Sequence, residues 1–291
     1  MLKQDIATGS TSKRSRGFRP TEHSRRVGMA VAATATTALC VAIAAPAEAK
    51  QANNRCGFAV IIGVRGSTEP AGTGTANDGR TYASGGLGPT INNLTAGALG
   101  DKTIPFWIEG LNYPAVMLDP NNKQAPSYIA SLNKGVTNLR GEIEDLANSC
   151  PSTNIILGGF SQGAHVISST LDETYMPLSA SAKNHISAVA LFGSPTFHAG
   201  ESINASGSGP SNGIFGLSGT PALANYKRLA WNSSYTSQSL QPIVRSYCLS
   251  GDFFCQTNLT QNGLNIHQTY PTSPTMLAAW SFIHGWIADN D

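Results

Sequence analysis

Asn154-Ile155-Ile156-Leu157-Gly158-Gly159-Phe160-Ser161-Gln162-Gly163-Ala164 is the stretch on which the fold turns. Asn154–Leu157 is a short apolar, β-branched run that reads as a strand, and the residues from Gln162 to Tyr175 carry helical spacing. Between the two stands Gly159-Phe160-Ser161-Gln162-Gly163, a GxSxG sequence at a strand-to-helix turn. In such an elbow the serine backbone is strained, and glycine is needed on either side because a side chain there would collide with the neighbouring strand or helix. The turn lifts the Ser161 hydroxyl above the sheet and leaves the Gln162 N–H, at a helix N-terminus, open to an oxyanion. Ser161 is the expected nucleophile.

Outward from this turn the same alternation continues. Phe58–Val64, Thr103–Trp107, Ile186–Phe192 and Pro242–Tyr247 read as further strands, and Pro89–Leu99, Tyr128–Ala147 and Thr275–Ala288 as helices. Alternating strands and helices predict an α/β chain, with a central five-stranded, mostly parallel sheet between helical layers. Ala71–Gly86 and Thr196–Gln241 are dense in Gly, Ser, Asn and Thr and are expected to be loops or insertions. Within the second, Ile214, Phe215 and Leu217 are expected to pack locally onto the main body.

Length and composition fit one domain. The chain has 291 residues, 41% of them hydrophobic, enough for a sizeable core. Residues 1–49 read as a signal peptide: a basic stretch through Ser24-Arg25-Arg26, an apolar run from Val27 to Ala45, and Ala47-Glu48-Ala49 as a small-x-small cleavage site. The paired arginines are compatible with twin-arginine export. Residues 50–291 are then a single catalytic domain outside the cell. It carries 12 Lys and Arg against 14 Asp and Glu, without a basic run able to follow a phosphate backbone, so no nucleic-acid partner is expected.

Four cysteines remain beyond the signal: Cys56, Cys150, Cys248 and Cys255. An even number in an exported chain predicts disulfides, and three pairings are open. None of these cysteines lies in a CxxC or beside a spaced histidine pair, so no metal is expected.

A serine hydroxyl barely ionises at neutral pH. It needs a histidine within reach and a carboxylate to hold the histidine's tautomer, in chain order serine, acid, histidine. His165 is one helical turn below Ser161 and reads as a packed residue. His185 precedes a strand, at the wrong end of a parallel sheet. His198 lacks a suitable acid before it, and His284 falls on the last helix. His267, in the segment Asn262–Tyr270 read as a loop, is the expected base. Asp252, fifteen residues earlier, is the expected acid, on a segment that a Cys248–Cys255 bridge would close into a stiff ring. After the first strand, Arg65-Gly66-Ser67-Thr68-Glu69 is placed to supply the second oxyanion N–H from Ser67, with Arg65 and Glu69 expected to pair and shape the loop.

Further stretches join these: Asn112-Tyr113-Pro114-Ala115, Leu191-Phe192-Gly193-Ser194-Pro195, and Cys248…Gly251-Asp252…Cys255…His267…Tyr270. With them, from about residue 56 onward, the chain resembles the cutinases, small lidless α/β serine esterases, and is most similar to their actinobacterial branch. The resemblance implies an α/β-hydrolase-like three-layer sandwich and disulfides Cys56–Cys150 and Cys248–Cys255. It further implies a triad of Ser161, Asp252 and His267, with an oxyanion hole of Ser67 and Gln162. The implied activity is cofactor-free hydrolysis of short- to medium-chain acyl esters, cutin or polyester, or lipid, by a monomer touching a lipid or polymer surface transiently. Leu264 and Ile266, flanking His267, are candidates for an apolar lip. An acetylxylan esterase is the alternative within enzymes, and a non-catalytic secreted surface-binding protein the alternative outside them.

Overall fold

The computed structural model describes residues 54–71, 86–101, 104–172, 176–216, 221–231 and 234–288; the expected signal peptide, Leu217 and most of Ala71–Gly86 lie outside them. Seven strands are described: β1 (Ala59–Val64), β2 (Phe106–Gly110), β3 (Asn154–Phe160), β4 (Ile186–Phe192), β5 (Lys227–Trp231), β6 (Gln238–Pro242) and β7 (Val244–Tyr247). Five of them form one sheet in the order β2-β1-β3-β4-β7, parallel at every pairing. β1 and β4 are buried along their whole length. Their apolar runs do not alternate because both sheet faces are covered.

The helices are α1 (Gly88–Gly100), α2 (Pro126–Ser149), α3 (Gln162–Leu171), α4 (Ala180–His185), α5 (Pro221–Ala224), α6 (Gln261–His267) and α7 (Thr275–Ala288). α2, α3 and α4 pack together on one face of the sheet, and α1 with α7 on the other. No helix among the described residues is long and apolar enough to cross a membrane. Cys56–Cys150 ties the start of β1 to the end of α2, and Cys248–Cys255 closes the segment after β7.

The structure departs from the sequence reading in several places. β2 lies at Phe106–Gly110 rather than Thr103–Trp107 because Glu109, a residue that reads as ending a strand, is buried inside it. The Arg55 guanidinium meets its carboxylate at 3.0 Å and the Trp107 Nε1–H donates to it at 2.8 Å, which makes burial of the charge tolerable. α3 stops at Leu171. α4, capped by the Ser179 hydroxyl, was not expected. Thr196–Gln241 is more than a loop, since it holds α5 and an antiparallel ribbon of β5 and β6. Ile214 and Phe215 do pack locally, in a small cluster with Leu118, Tyr128 and Phe254.

Candidate active site

A parallel sheet gathers its carboxyl ends on one edge, so the segments after β1, β3, β4 and β7 meet there. Ser161 follows β3 directly, with φ 53° and ψ −117°, a strained conformation for a residue with a side chain. Two backbone bonds hold it: its N–H donates to the Phe192 carbonyl at 2.8 Å, and its carbonyl accepts from the His165 N–H at 3.1 Å. Gly163 is forced by the same geometry, because a Cβ there would overlap the Val64 carbonyl where α3 passes the end of β1.

Asp252 lies within the Cys248–Cys255 ring and is fully buried. Its Oδ1 accepts from the N–H groups of Phe254 and Cys255, both at 2.7 Å. Its Oδ2 lies 2.7 Å from His267 Nδ1. His267 is the last residue of α6, a helix rather than the expected loop, capped by Thr260, whose hydroxyl accepts from the Gly263 N–H. The imidazole stacks on Phe160 with ring centres 4.8 Å apart and meets Phe254 edge-on at 4.6 Å. Phe160 is the residue before Ser161, so this stack carries the histidine to the serine's neighbourhood. With Nδ1 bound to Asp252, Nε2 is buried and has no hydrogen-bond partner among the described residues. It is the nitrogen left to accept a proton.

Tyr270 braces this arrangement. Its ring packs against Phe160 and Phe192, and its hydroxyl accepts from the Leu249 N–H at 2.9 Å. Burial, reinforced by the Asp252 charge, pushes its pKa far up, so the phenol stays neutral.

Ser67 sits opposite, in the turn after β1. Its hydroxyl donates to the Val116 carbonyl at 3.1 Å and approaches Gln162 Oε1 at 3.4 Å, so the two expected oxyanion residues are neighbours. Arg65 and Glu69 do shape this loop, largely through the backbone. Arg65 Nε donates to the Glu69 carbonyl at 2.9 Å and Nη2 to the Tyr113 carbonyl at 2.6 Å, while the Glu69 carboxylate accepts from the Gly66 N–H at 2.6 Å. Burial lowers the Arg65 pKa and raises that of Glu69; their mutual attraction opposes both shifts.

Of the other histidines, His165 is packed as expected. It lies 2.9 Å from the Tyr128 hydroxyl, and burial pushes its pKa down to about 4. His185 Nδ1 contacts the Ser181 carbonyl before β4, at the far edge of the sheet. His198 lies 3.9 Å from Glu201 and His284 3.2 Å from Asp101, so neither joins Asp252. Leu264, half-buried, packs into the Phe254 cluster. Sequence reasoning passed over Ser131, whose hydroxyl lies 3.4 Å from Gln162 Oε1 and accepts from the Val116 N–H at 3.1 Å; a serine inside an amphipathic helix gives no signal of such a role. Among the described residues no group of three or more His, Cys, Asp or Glu side chains is arranged to hold a metal.

The family model described as Cutinase matches residues 55–286. Phospholipase Culp4 of Mycobacterium tuberculosis is 30% identical over 199 residues, 64% of this chain and 77% of that protein. A cutinase of Hypocrea jecorina is 30% identical over 145 residues, 50% of this chain and 49% of its own length, so the chain spans about half of that relative. Among solved structures, the catalytic core domain of an acetyl xylan esterase from Trichoderma reesei matches with a TM-score of 0.57 at 22% identity, covering 79% of this chain and 99% of that one, a likeness of fold.

Proposed function

This chain belongs to the cutinase family and is a carboxylic ester hydrolase, and from that premise we propose that it works through Ser161, His267 and Asp252. The observation that carries the reading is the 2.7 Å contact between buried Asp252 and His267, which leaves Nε2 unpartnered beside the strained serine turn. Ser161 Oγ attacks the ester carbonyl carbon while Nε2 takes its proton, and Asp252 stabilises the imidazolium formed. The N–H groups of Ser67 and Gln162 hold the oxyanion of the tetrahedral intermediate. Its collapse expels the alcohol, protonated by His267, and leaves an acyl group on Ser161. Water, deprotonated by His267, then releases the acid.

We place its substrates among short- to medium-chain acyl esters of lipid or polyester, a choice that the phospholipase name of the mycobacterial relative favours. Ser161→Ala lowers hydrolysis of a p-nitrophenyl butyrate-type ester by several orders of magnitude. Ordinary turnover by that variant would sink the assignment. An acyl-chain-length series run beside acetylated xylan separates the lipid reading from a carbohydrate esterase, which cleaves acetyl groups and spares longer chains. Export with removal of residues 1–49 belongs to the same proposal. It is tested by the N-terminal sequence of protein recovered from the culture medium.

A further inference from the structure

Nine large hydrophobic side chains stand exposed among the described residues, and four of them belong to the β5–β6 ribbon: Leu229, Trp231, Tyr235 and Leu240, each 48–69% exposed. The register pairs Leu229 with Leu240 and Lys227 with Pro242. Paired residues, and residues two apart on a strand, point to the same side, so Lys227, Leu229, Trp231 and Leu240 share one face, with Tyr235 at the connecting tip. Left bare to water, such a face invites a partner.

The base of the ribbon is charged. A cleft of about 560 Å³ opens there, lined by Lys183, Lys227 and Arg228 with Ile186, Tyr226 and Ile243 among its walls; no Asp or Glu lines it. Arg228 is fixed in place by donating from Nη2 to the Asn184 carbonyl. The sequence carries the same asymmetry: between Glu201 and Asp252 there is no acidic residue, yet Lys227, Arg228 and Arg245 fall in that interval. A local cationic zone of this kind, in a domain with more acidic than basic residues, is complementary to an anionic surface.

Ile186 begins β4, and Ile243 immediately precedes β7. Ribbon and cleft therefore occupy the amino edge of the parallel sheet, opposite the edge that carries Ser161. We propose that they form a docking site for an anionic phospholipid surface. Leu229, Trp231 and Leu240 enter the interfacial layer and Lys227, on the same face, meets the lipid phosphates, while Arg228, turned to the opposite face and tied to Asn184, adds positive field from behind. Tryptophan beside basic residues suits that layer, where one part of the contact is apolar and the other wet. Docked this way, the molecule holds its candidate active site away from the anchoring surface. The proposal stands apart from the catalytic assignment.

The test is co-sedimentation of the purified protein with phosphatidylcholine vesicles and with vesicles that also contain phosphatidylglycerol. Stronger binding to the second kind, weakened by salt, is expected. Lys227→Glu reverses one exposed charge and should weaken binding about twenty- to thirty-fold, from about fivefold per basic charge near an anionic surface. Trp231→Ser combined with Leu240→Ser should weaken binding to both kinds of vesicle. Each variant should keep the parent's thermal midpoint and its rate on a soluble short-chain ester. All carry the same N-terminus, so differences between them report on the ribbon. Equal binding to both vesicle types, or unchanged binding by the variants, would overturn the proposal. So would a dimer in sedimentation velocity that Trp231→Ser dissolves while wild type ignores the vesicles, since the face would then bind a second copy.

Discussion

Asp252 Oδ2 stands 2.7 Å from His267 Nδ1, while Oδ1 of the same carboxylate is held by two backbone N–H groups. Both oxygens are thus committed, and the carboxylate cannot rotate without breaking three bonds. Asp252→Asn puts an amide where only acceptors fit. If the amide oxygen keeps the Phe254 and Cys255 N–H groups, its NH₂ faces Nδ1 and drives the imidazole proton to Nε2, the nitrogen that has to accept. The expected loss is about 10³–10⁴ in kcat, by analogy with the same change in another serine hydrolase, with KM little altered. Steady-state kinetics on a soluble ester decide it, and a variant within tenfold of wild type would mean that the pair is structural.

Gly193 follows β4 with φ +57°, and a Cβ there would come within 2.8 Å of His267 Cε1. Gly193→Ala therefore strains the backbone and displaces the imidazole together. A misplacement near 1 Å costs about a hundredfold in rate. The measurement is kcat with the thermal midpoint as companion. Slowed labelling of Ser161 by a fluorophosphonate in a folded variant would show that the histidine has moved away from the serine.

What could be read in advance followed from local chemistry. The serine turn is dictated by residues in sequence contact with it, Gly159 and Gly163, and the five sheet strands by apolar runs long enough to be covered on both faces. Other features depend on distant partners. Glu109 sits inside β2 only because Arg55, 54 positions earlier, neutralises it. The β5–β6 ribbon is exposed along most of its length, so it has no buried face to impose an apolar alternation, and Pro242, read as the first residue of the last sheet strand, instead ends β6 while β7 starts at Val244. α6 spans seven residues and owes its start to the Thr260 cap, too little chain for helical periodicity to show; His267 is thus reached by setting the other histidines aside and by its place after the last strand, not by its helix.

The two disulfides invite opposite outcomes. Cys56–Cys150 closes a 94-residue separation and Cys248–Cys255 one of 7. Chain entropy assigns about 4–5 kcal/mol to the first and about 2–3 kcal/mol to the second. Yet only the short ring contains Asp252. Replacing Cys56 and Cys150 by Ser should lower the thermal midpoint most and leave kcat near wild type. Replacing Cys248 and Cys255 by Ser should cost less stability and more kcat. Paired thermal and kinetic measurements check this, and a reversal of the two patterns would contradict a positioning role for the ring.

Two buried groups should give stability an uneven response to pH. Burial lowers the His165 pKa to about 4, so the folded chain keeps it neutral; its contribution is complete above about 6.5 and is lost as pH falls toward 4. Burial, with the Glu109 charge adding to it and the Arg55 charge opposing, raises the Glu142 pKa to about 8. The folded chain therefore keeps that carboxyl protonated, and its contribution is complete below about 4.5 and lost as pH rises toward 8. Between 4.5 and 6.5 the two slopes oppose each other; above 6.5 only the Glu142 loss continues. Glu142→Gln retains a neutral side chain of the same shape and should be more stable than the parent at pH 8 by about 2–4 kcal/mol, with little difference at pH 4.5. Urea midpoints at the two pH values measure it. A variant less stable than the parent at pH 8 would mean that Glu142 is ionised in the folded chain, compensated by Arg55.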